Sequence, residues 1–94
     1  MFRAAQCWFK AEQFPKAAAD FDLLVENYPR STFRPDAIFW AGESFRSANQ
    51  LESAYRRYKR ATWDYPESEA AKFARGKLVT PEMVNIADKD TQTQ

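Results

Sequence analysis

The side chains that most often carry out enzyme chemistry are scarce in this sequence. The chain of 94 residues has no histidine, which removes the commonest general base and metal ligand. It has one cysteine, Cys7, which can form neither an internal disulfide nor a zinc site. Because no histidine is present to activate this thiol, we expect Cys7 to be a packed structural residue.

Paired carboxylates are the remaining candidates for acid–base catalysis. Asp20 and Asp22 lie two residues apart, as do Glu67 and Glu69. Helical neighbours at this spacing point about 200° apart, so neither pair can converge on a substrate. The two glycines also form no phosphate-binding loop. The sequence therefore predicts no catalytic residue, no metal and no cofactor, and we do not expect an enzyme.

A basic run at residues 56–60 is the strongest electrostatic feature. Together with Tyr55, it could contact phosphates while an aromatic ring stacks on a base. However, Tyr58 falls on a predicted buried helix face, and the four cations spread over the other faces. The net charge of +1 gives no overall attraction to nucleic acid or to an anionic membrane. Nucleic-acid binding is therefore the less favoured alternative.

The composition indicates a single small helical domain. Hydrophobic residues make up 45% of the chain and aromatic residues 16%, and a chain with so few glycines favours helices over tightly turned sheets. No apolar run approaches the roughly 20 residues that span a bilayer, so we expect no membrane span. The polar start of the chain, residues 2–6, also argues against a signal peptide.

The sequence aligns with itself when it is shifted by 37 residues. Tyr28-Pro29 then matches Tyr65-Pro66, and Ser31 matches Ser68. Within each unit, apolar residues recur at the spacing of a buried helix face. The four predicted stripes are Met1, Ala4, Ala5 and Trp8; Ala17, Phe21, Leu24 and Tyr28; Ile38, Ala41, Gly42 and Phe45; and Ala54, Tyr58, Ala61 and Tyr65.

These stripes predict two helical hairpins, in units at about residues 1–30 and 34–66. Pro15 suits the first turn of the second helix, and Asn49 with Glu52 resembles a capping box at the start of the fourth. A fifth helix at 67–79 is expected to cap the stack and to lack a partner of similar length. We expect residues 80–94 to hold one or two weak helical turns at 81–87 and a frayed polar tail.

The small residues Ala41 and Gly42, followed by the large ones Phe45 and Tyr58, resemble the consensus of the tetratricopeptide repeat. Ala54, Ala61 and Pro66 extend this resemblance, which covers about residues 1–79. It implies an all-α stack of about five antiparallel helices, a fragment of a right-handed α-solenoid. The sequence departs from the family in its spacing of 37, where about 34 is usual, and in the first unit's lack of the family's glycine.

The repeated Tyr-Pro-x-Ser element narrows the resemblance. It is similar to the repeats of bacterial envelope proteins of the BamD and CpoB families, which act in outer-membrane assembly and in cell division. This similarity implies a periplasmic or cell-envelope location, and a cytoplasmic one stays open.

The resemblance also implies a function, which is to bind a partner protein or peptide in a groove lined by the first helix of each hairpin. The positions that correspond to this groove are Phe2, Gln6, Phe9, Lys10, Asp36, Phe39, Glu43, Arg46 and Phe73. Two alternatives stay open. The spacing of 37 could turn these phenylalanines into the core between units, or the few repeats could be completed by a second copy in a homodimer.

Overall fold

A computed structural model describes the backbone of residues 2–92 and the side chains of residues 2–87. The described residues form six α-helices and no β-strand. Each helix packs against the next, α3 also packs against α5, and α6 packs against α4 and α5. The helices are α1 (Phe2–Lys10), α2 (Phe14–Asn27), α3 (Arg34–Ser47), α4 (Leu51–Asp64), α5 (Glu69–Leu78) and α6 (Pro81–Gln92). The predicted all-α stack of helix hairpins is confirmed.

The turn inside each hairpin repeats with the predicted spacing of 37 residues. Glu12 and Asn49 both have a left-handed backbone, with φ of 62° and 63°. The amide of the next residue donates to a carbonyl five residues earlier in both turns, from Gln13 to Trp8 at 2.9 Å and from Gln50 to Phe45 at 2.8 Å. These bonds close the carboxyl ends of α1 and α3 in the Schellman pattern.

The capping box predicted at Asn49 and Glu52 is wrong. Asn49 lies in the turn that follows α3, and the residue that precedes α4 is Gln50, whose side chain makes no capping hydrogen bond. Asparagine tolerates the left-handed backbone better than most residues, which explains its place in this turn. A side-chain cap is present at α5, where the Ser68 hydroxyl accepts a hydrogen bond from the Ala71 amide at 3.0 Å. Pro15 lies in the first turn of α2, as predicted.

The core of each hairpin pairs a large ring with a small residue. Phe21 and Tyr58 occupy equivalent positions in the two units and are fully buried. A Cβ atom at Gly42 would lie 2.8 Å from Cε1 of Tyr58, so α3 and α4 approach closely because residue 42 has no side chain. In the first unit the equivalent small residue is Ala5, which is also fully buried.

The stripes predicted on α1 and α2 are only partly correct, and the last residue of the α2 stripe, Tyr28, is exposed. Ala5 is buried, but Ala4 and Trp8 are exposed, and Met1 lies outside the described residues. Helices α1 and α3 differ in the number of helices that cover them, because α3 packs extensively against both α2 and α4, whereas α1 packs mainly against α2. Ala41, the counterpart of Ala4 on α3, is accordingly fully buried.

The connection between the two units is held by Arg34. Its Nε donates to the Val25 carbonyl oxygen at 3.1 Å, and its Nη1 donates to the Tyr65 hydroxyl at 2.7 Å. One guanidinium therefore joins the carboxyl-terminal end of α2 to that of α4. This contact lies at the end of the longer connection, residues 28–33, where the sequence departs from the usual repeat spacing.

The end of the chain is more ordered than the sequence indicates. Among the described residues α6 continues from Pro81 to Gln92, where weak helical turns were expected at 81–87 and a frayed tail from Asp88 onward. Met83 is fully buried and Ile86 packs against the core, so α6 is anchored by tertiary contacts. Thr93 and Gln94, the rest of the predicted tail, lie outside the described residues.

Candidate functional site

The row of phenylalanines predicted to line the groove is less exposed than expected. Phe2, Phe9 and Phe39 are partly buried and pack against the core. Phe9 meets Trp40 of α3 edge to face, with ring centroids 5.2 Å apart, and Phe2 contacts Phe21 at 5.6 Å. These three residues therefore contribute to the packing between helices, as in the alternative that places the phenylalanines in the core between units.

Phe73 is the exception, because 62% of its surface is exposed. It lies on α5 beside Phe39 of α3, with ring centroids 5.9 Å apart. Phe39 in turn contacts Tyr58 in the core at 5.9 Å. The two rings form an apolar shelf between the first helices of neighbouring hairpins, with one ring anchored in the core and the other open to solvent.

Glu43 and Arg46 are committed to contacts within the chain. The Tyr58 hydroxyl donates to Glu43 at 2.6 Å, and Lys77 of α5 lies 3.7 Å from the same carboxylate. Arg46 lies 3.9 Å from Glu43 and 3.8 Å from Glu82 of α6. Burial first, and then the hydrogen bond to Glu43, raises the pKa of Tyr58 well above its ordinary value. These charges thus join α3, α4, α5 and α6.

Two carboxylates lie near the amino-terminal ends of α3 and α5. Asp36 and Glu69 are both exposed, in the first turns of their helices. Partial burial, and then the negative charge of Glu69, raises the pKa of Asp36 above its ordinary value. Asp36 and Phe39 are three residues apart on α3, and Glu69 and Phe73 are four apart on α5. An acidic pair therefore adjoins the apolar shelf one helical turn away.

The remaining predicted site residues lie on α1. Gln6 is half-buried and Lys10 is exposed. Phe2 and Gln6 line a surface pocket of about 530 Å³, together with Leu24, Tyr28 and Phe33. The pocket lies at one end of the row and the Phe39–Phe73 shelf at the other.

The sequence analysis missed an aromatic surface on α4. Trp63 is 75% exposed, and Lys59 lies over its ring with Nζ 5.3 Å from the centroid. The same nitrogen lies 5.7 Å from the ring centroid of Tyr55. The signal in the sequence is the spacing, because residues 55, 59 and 63 are each four apart and share one helix face. Trp63 extends the aromatic side of the basic run beyond Tyr55.

Cys7 is not packed as predicted, since its side chain is exposed. Ala5 is the residue of α1 that faces the core, and a residue two positions later points away from it. Among the described side chains, no group of acidic or cysteine residues is arranged to hold a metal ion. None of the helices described combines the length and the apolarity that crossing a bilayer requires.

Comparison with known families agrees with this architecture. A family model described as the tetratricopeptide repeat matches residues 1–31 and 36–68, which together are more than half of the chain. No curated protein and no solved structure matches the chain significantly. Repeats of this family form non-catalytic scaffolds that generally mediate protein–protein interactions. The stacked hairpins and the two sequence matches lead to one conclusion: the chain belongs to the tetratricopeptide repeat family.

Proposed function

We propose that this protein binds an extended segment of a partner protein along the surface formed by α1, α3 and α5. The observation that carries the proposal is the exposure of Phe73 beside the anchored ring of Phe39. An exposed aromatic ring next to a rigid apolar neighbour is the kind of residue that dominates binding energy at protein interfaces. The other residues of this surface are Phe2, Gln6, Phe9, Lys10, Asp36, Glu43 and Arg46.

The chemistry of this surface favours a particular kind of segment. The Phe39–Phe73 shelf would hold an apolar side chain. The Asp36 and Glu69 carboxylates, one turn away, would attract a lysine or arginine of the same segment. The ion pairs of Glu43 and Arg46 support the surface by holding α3, α5 and α6 together. We therefore expect partner segments in which an apolar residue lies close to a basic one.

The test is a selection of phage-displayed random peptides on the immobilised protein. Peptides enriched on the wild type should lose most of their affinity for Phe73→Ala and keep it for Val79→Ala, an exposed apolar control on the segment that follows α5. The free energy of unfolding of both variants should differ from that of the wild type by no more than about 0.5 kcal/mol, because both side chains are exposed. Peptides that bind Phe73→Ala as well as the wild type would refute the proposal.

A second function, self-association, is favoured by the open side of α1. Ala4 and Cys7 are exposed, whereas their counterparts on α3, Ala41 and Ser44, are fully buried. A second copy that packs against α1 would cover this face, as α2 helps to cover α3. Sedimentation equilibrium should then detect a homodimer that Ala4→Glu disrupts. A strictly monomeric mass at high protein concentration would exclude this function.

We also infer a role in bacterial envelope assembly or division, which rests on the Tyr-Pro-x-Ser resemblance. Each of these elements ends the second helix of a hairpin, and in the second unit Ser68 begins the next helix by accepting the Ala71 amide. Fractionation of cells that express the native gene tests the inference. Recovery of the product in the periplasm or with the envelope would support it, and recovery in the cytoplasm alone would contradict it.

A further inference from the structure

The side of α4 that does not face the core presents aromatic and basic side chains together. We call this surface the α4 patch and define it by Tyr55, Arg56, Lys59, Arg60 and Trp63. These residues line a surface pocket of about 370 Å³ with Asp64 at its edge. The core side of the same helix carries Tyr58, which contacts α3. The α4 patch is therefore separated from the Phe39–Phe73 shelf by the thickness of α4.

Two rings of the α4 patch contact the same cation. Lys59 lies between the rings of Tyr55 and Trp63, with Nζ 5.7 Å and 5.3 Å from their centroids. Such contacts contribute about 0.5–1 kcal/mol at exposed sites, so they favour one arrangement of the three side chains. Trp63 nevertheless keeps 75% of its surface exposed, more than any other large hydrophobic residue described. Tryptophan is one of the residues enriched among the hot spots near the centre of protein interfaces.

The cations of the basic run differ in whether they have a carboxylate partner within the chain. Arg57 bonds Asp22 through two nitrogens, at 3.0 and 2.8 Å. Arg60 lies 3.7 Å from Glu26 and 3.5 Å from Asp64. Among the described side chains, neither Arg56 nor Lys59 has a carboxylate within ion-pair distance. The α4 patch therefore offers two cations without an anionic partner beside an exposed ring.

We propose that the α4 patch is a second docking surface, which binds an acidic segment of a partner protein. Aspartate or glutamate side chains of that segment pair with Arg56 and Lys59, and an apolar side chain packs against Trp63. Glu26 and Asp64, at the border of the patch, would repel the continuous negative charge of a nucleic acid or of an anionic bilayer. A peptide segment whose carboxylates are separated by apolar residues can pair with the two cations and still keep its charges away from Glu26 and Asp64.

The experiment uses the same random peptide library, selected on the wild-type protein and on three variants. Trp63→Ala removes the exposed ring and Arg56→Glu reverses a cation without an anionic partner. The matched control is Arg30→Glu, an exposed arginine in the connection between α2 and α3. We expect a class of acidic and apolar peptides that binds wild type and Arg30→Glu equally. Its affinity should fall about 30-fold or more in Trp63→Ala, the loss typical of an interface hot spot.

The outcomes separate this proposal from the groove. Peptides of the acidic class should bind Phe73→Ala with the same affinity as the wild type. The proposal for the α4 patch and the proposal for the groove can therefore fail independently. The absence of any peptide class that depends on both Trp63 and Arg56 would overturn the proposal. So would binding of a thymidine oligonucleotide or of phosphatidylglycerol vesicles that these two variants abolish, if no acidic peptide competes for it.

Discussion

The two glycines of the chain give a matched test of the packing between α3 and α4. Both Gly42 and Gly76 lie in helices, where replacement by alanine gains up to about 1 kcal/mol from helix propensity. A Cβ at residue 76 meets nothing within 4 Å. A Cβ at residue 42 would lie 2.8 Å from Cε1 and 3.0 Å from Cδ1 of Tyr58. The two substitutions therefore share one favourable term and differ in one unfavourable term.

The unfavourable term can be estimated from the surroundings of Tyr58. Its ring is fully buried and its hydroxyl is held by Glu43, so it cannot shift without breaking other contacts. Overpacking of this kind costs about 1–3 kcal/mol. Gly76→Ala should thus raise the free energy of unfolding by up to about 1 kcal/mol. The free energy of unfolding of Gly42→Ala should be about 1–3 kcal/mol lower than that of Gly76→Ala, because both variants gain the same helix propensity and only Gly42→Ala is overpacked.

Urea and thermal unfolding followed by far-ultraviolet circular dichroism measure this difference. For a domain of this size, 1 kcal/mol corresponds to about 4–8 °C in melting temperature, so the two variants should be well separated. If Gly42→Ala proves as stable as Gly76→Ala, the close approach of α3 and α4 described above is refuted.

Three further predictions concern contacts between helices. Tyr58→Phe removes the donor to Glu43 and should lower the free energy of unfolding by about 1.5–3 kcal/mol. Because the folded protein keeps the Tyr58 proton while the unfolded chain releases it above a pH of about 10, wild-type stability should fall as pH rises beyond that value, and the slope should be smaller in Tyr58→Phe. Met83→Ala should cost about 2–5 kcal/mol in urea unfolding, whereas a loss under about 0.5 kcal/mol would show that α6 does not support the core. Asp22→Asn should cost no more than about 1 kcal/mol, because its pair with Arg57 is partly exposed, and the cost should shrink at high salt; a loss that salt does not change would indicate a role other than ion pairing.

Features that depend on local pattern could be predicted from the sequence. The alternation of small and large residues at helical spacing placed Ala17, Phe21, Ala54 and Tyr58 in the core, and all four are fully buried. Pro15 fixed the start of α2 because its ring excludes most other positions in a helix. The repeat itself followed from matches such as Tyr28-Pro29 with Tyr65-Pro66.

Features that depend on the neighbours of a helix could not be predicted in this way. α6 packs against α4 and α5 and buries Met83, which its weak amphipathic pattern does not reveal. Phe9 and Phe39 lie off the core stripe of their own helices, and they became partly buried only because an adjacent helix covers them. The exposure of Cys7 has the same origin, since none of the helices in the described part of the chain covers that side of α1.

For the candidate site, the sequence predicted which residues lie on one side of the stack, but not the contacts that hold them. It placed Phe39 and Phe73 on the same side of the stack, where their rings meet. It gave no sign that Glu43 and Arg46 would be held by Lys77 and Glu82, because ion pairs between helices depend on orientations that no spacing rule supplies.

The bond that Arg34 makes to the ends of α2 and α4 has a consequence for the curvature of the array. The angle between successive hairpins depends on the core and also on the half-buried side chain of Arg34, in which both Nε and Nη1 donate hydrogen bonds. A lysine at this position would carry its donors on one flexible ammonium and would lack the rigid fork that directs Nε to one helix end and Nη1 to the other. The hairpins would then pivot about α3, and a bound segment would meet anchor points at a variable pitch.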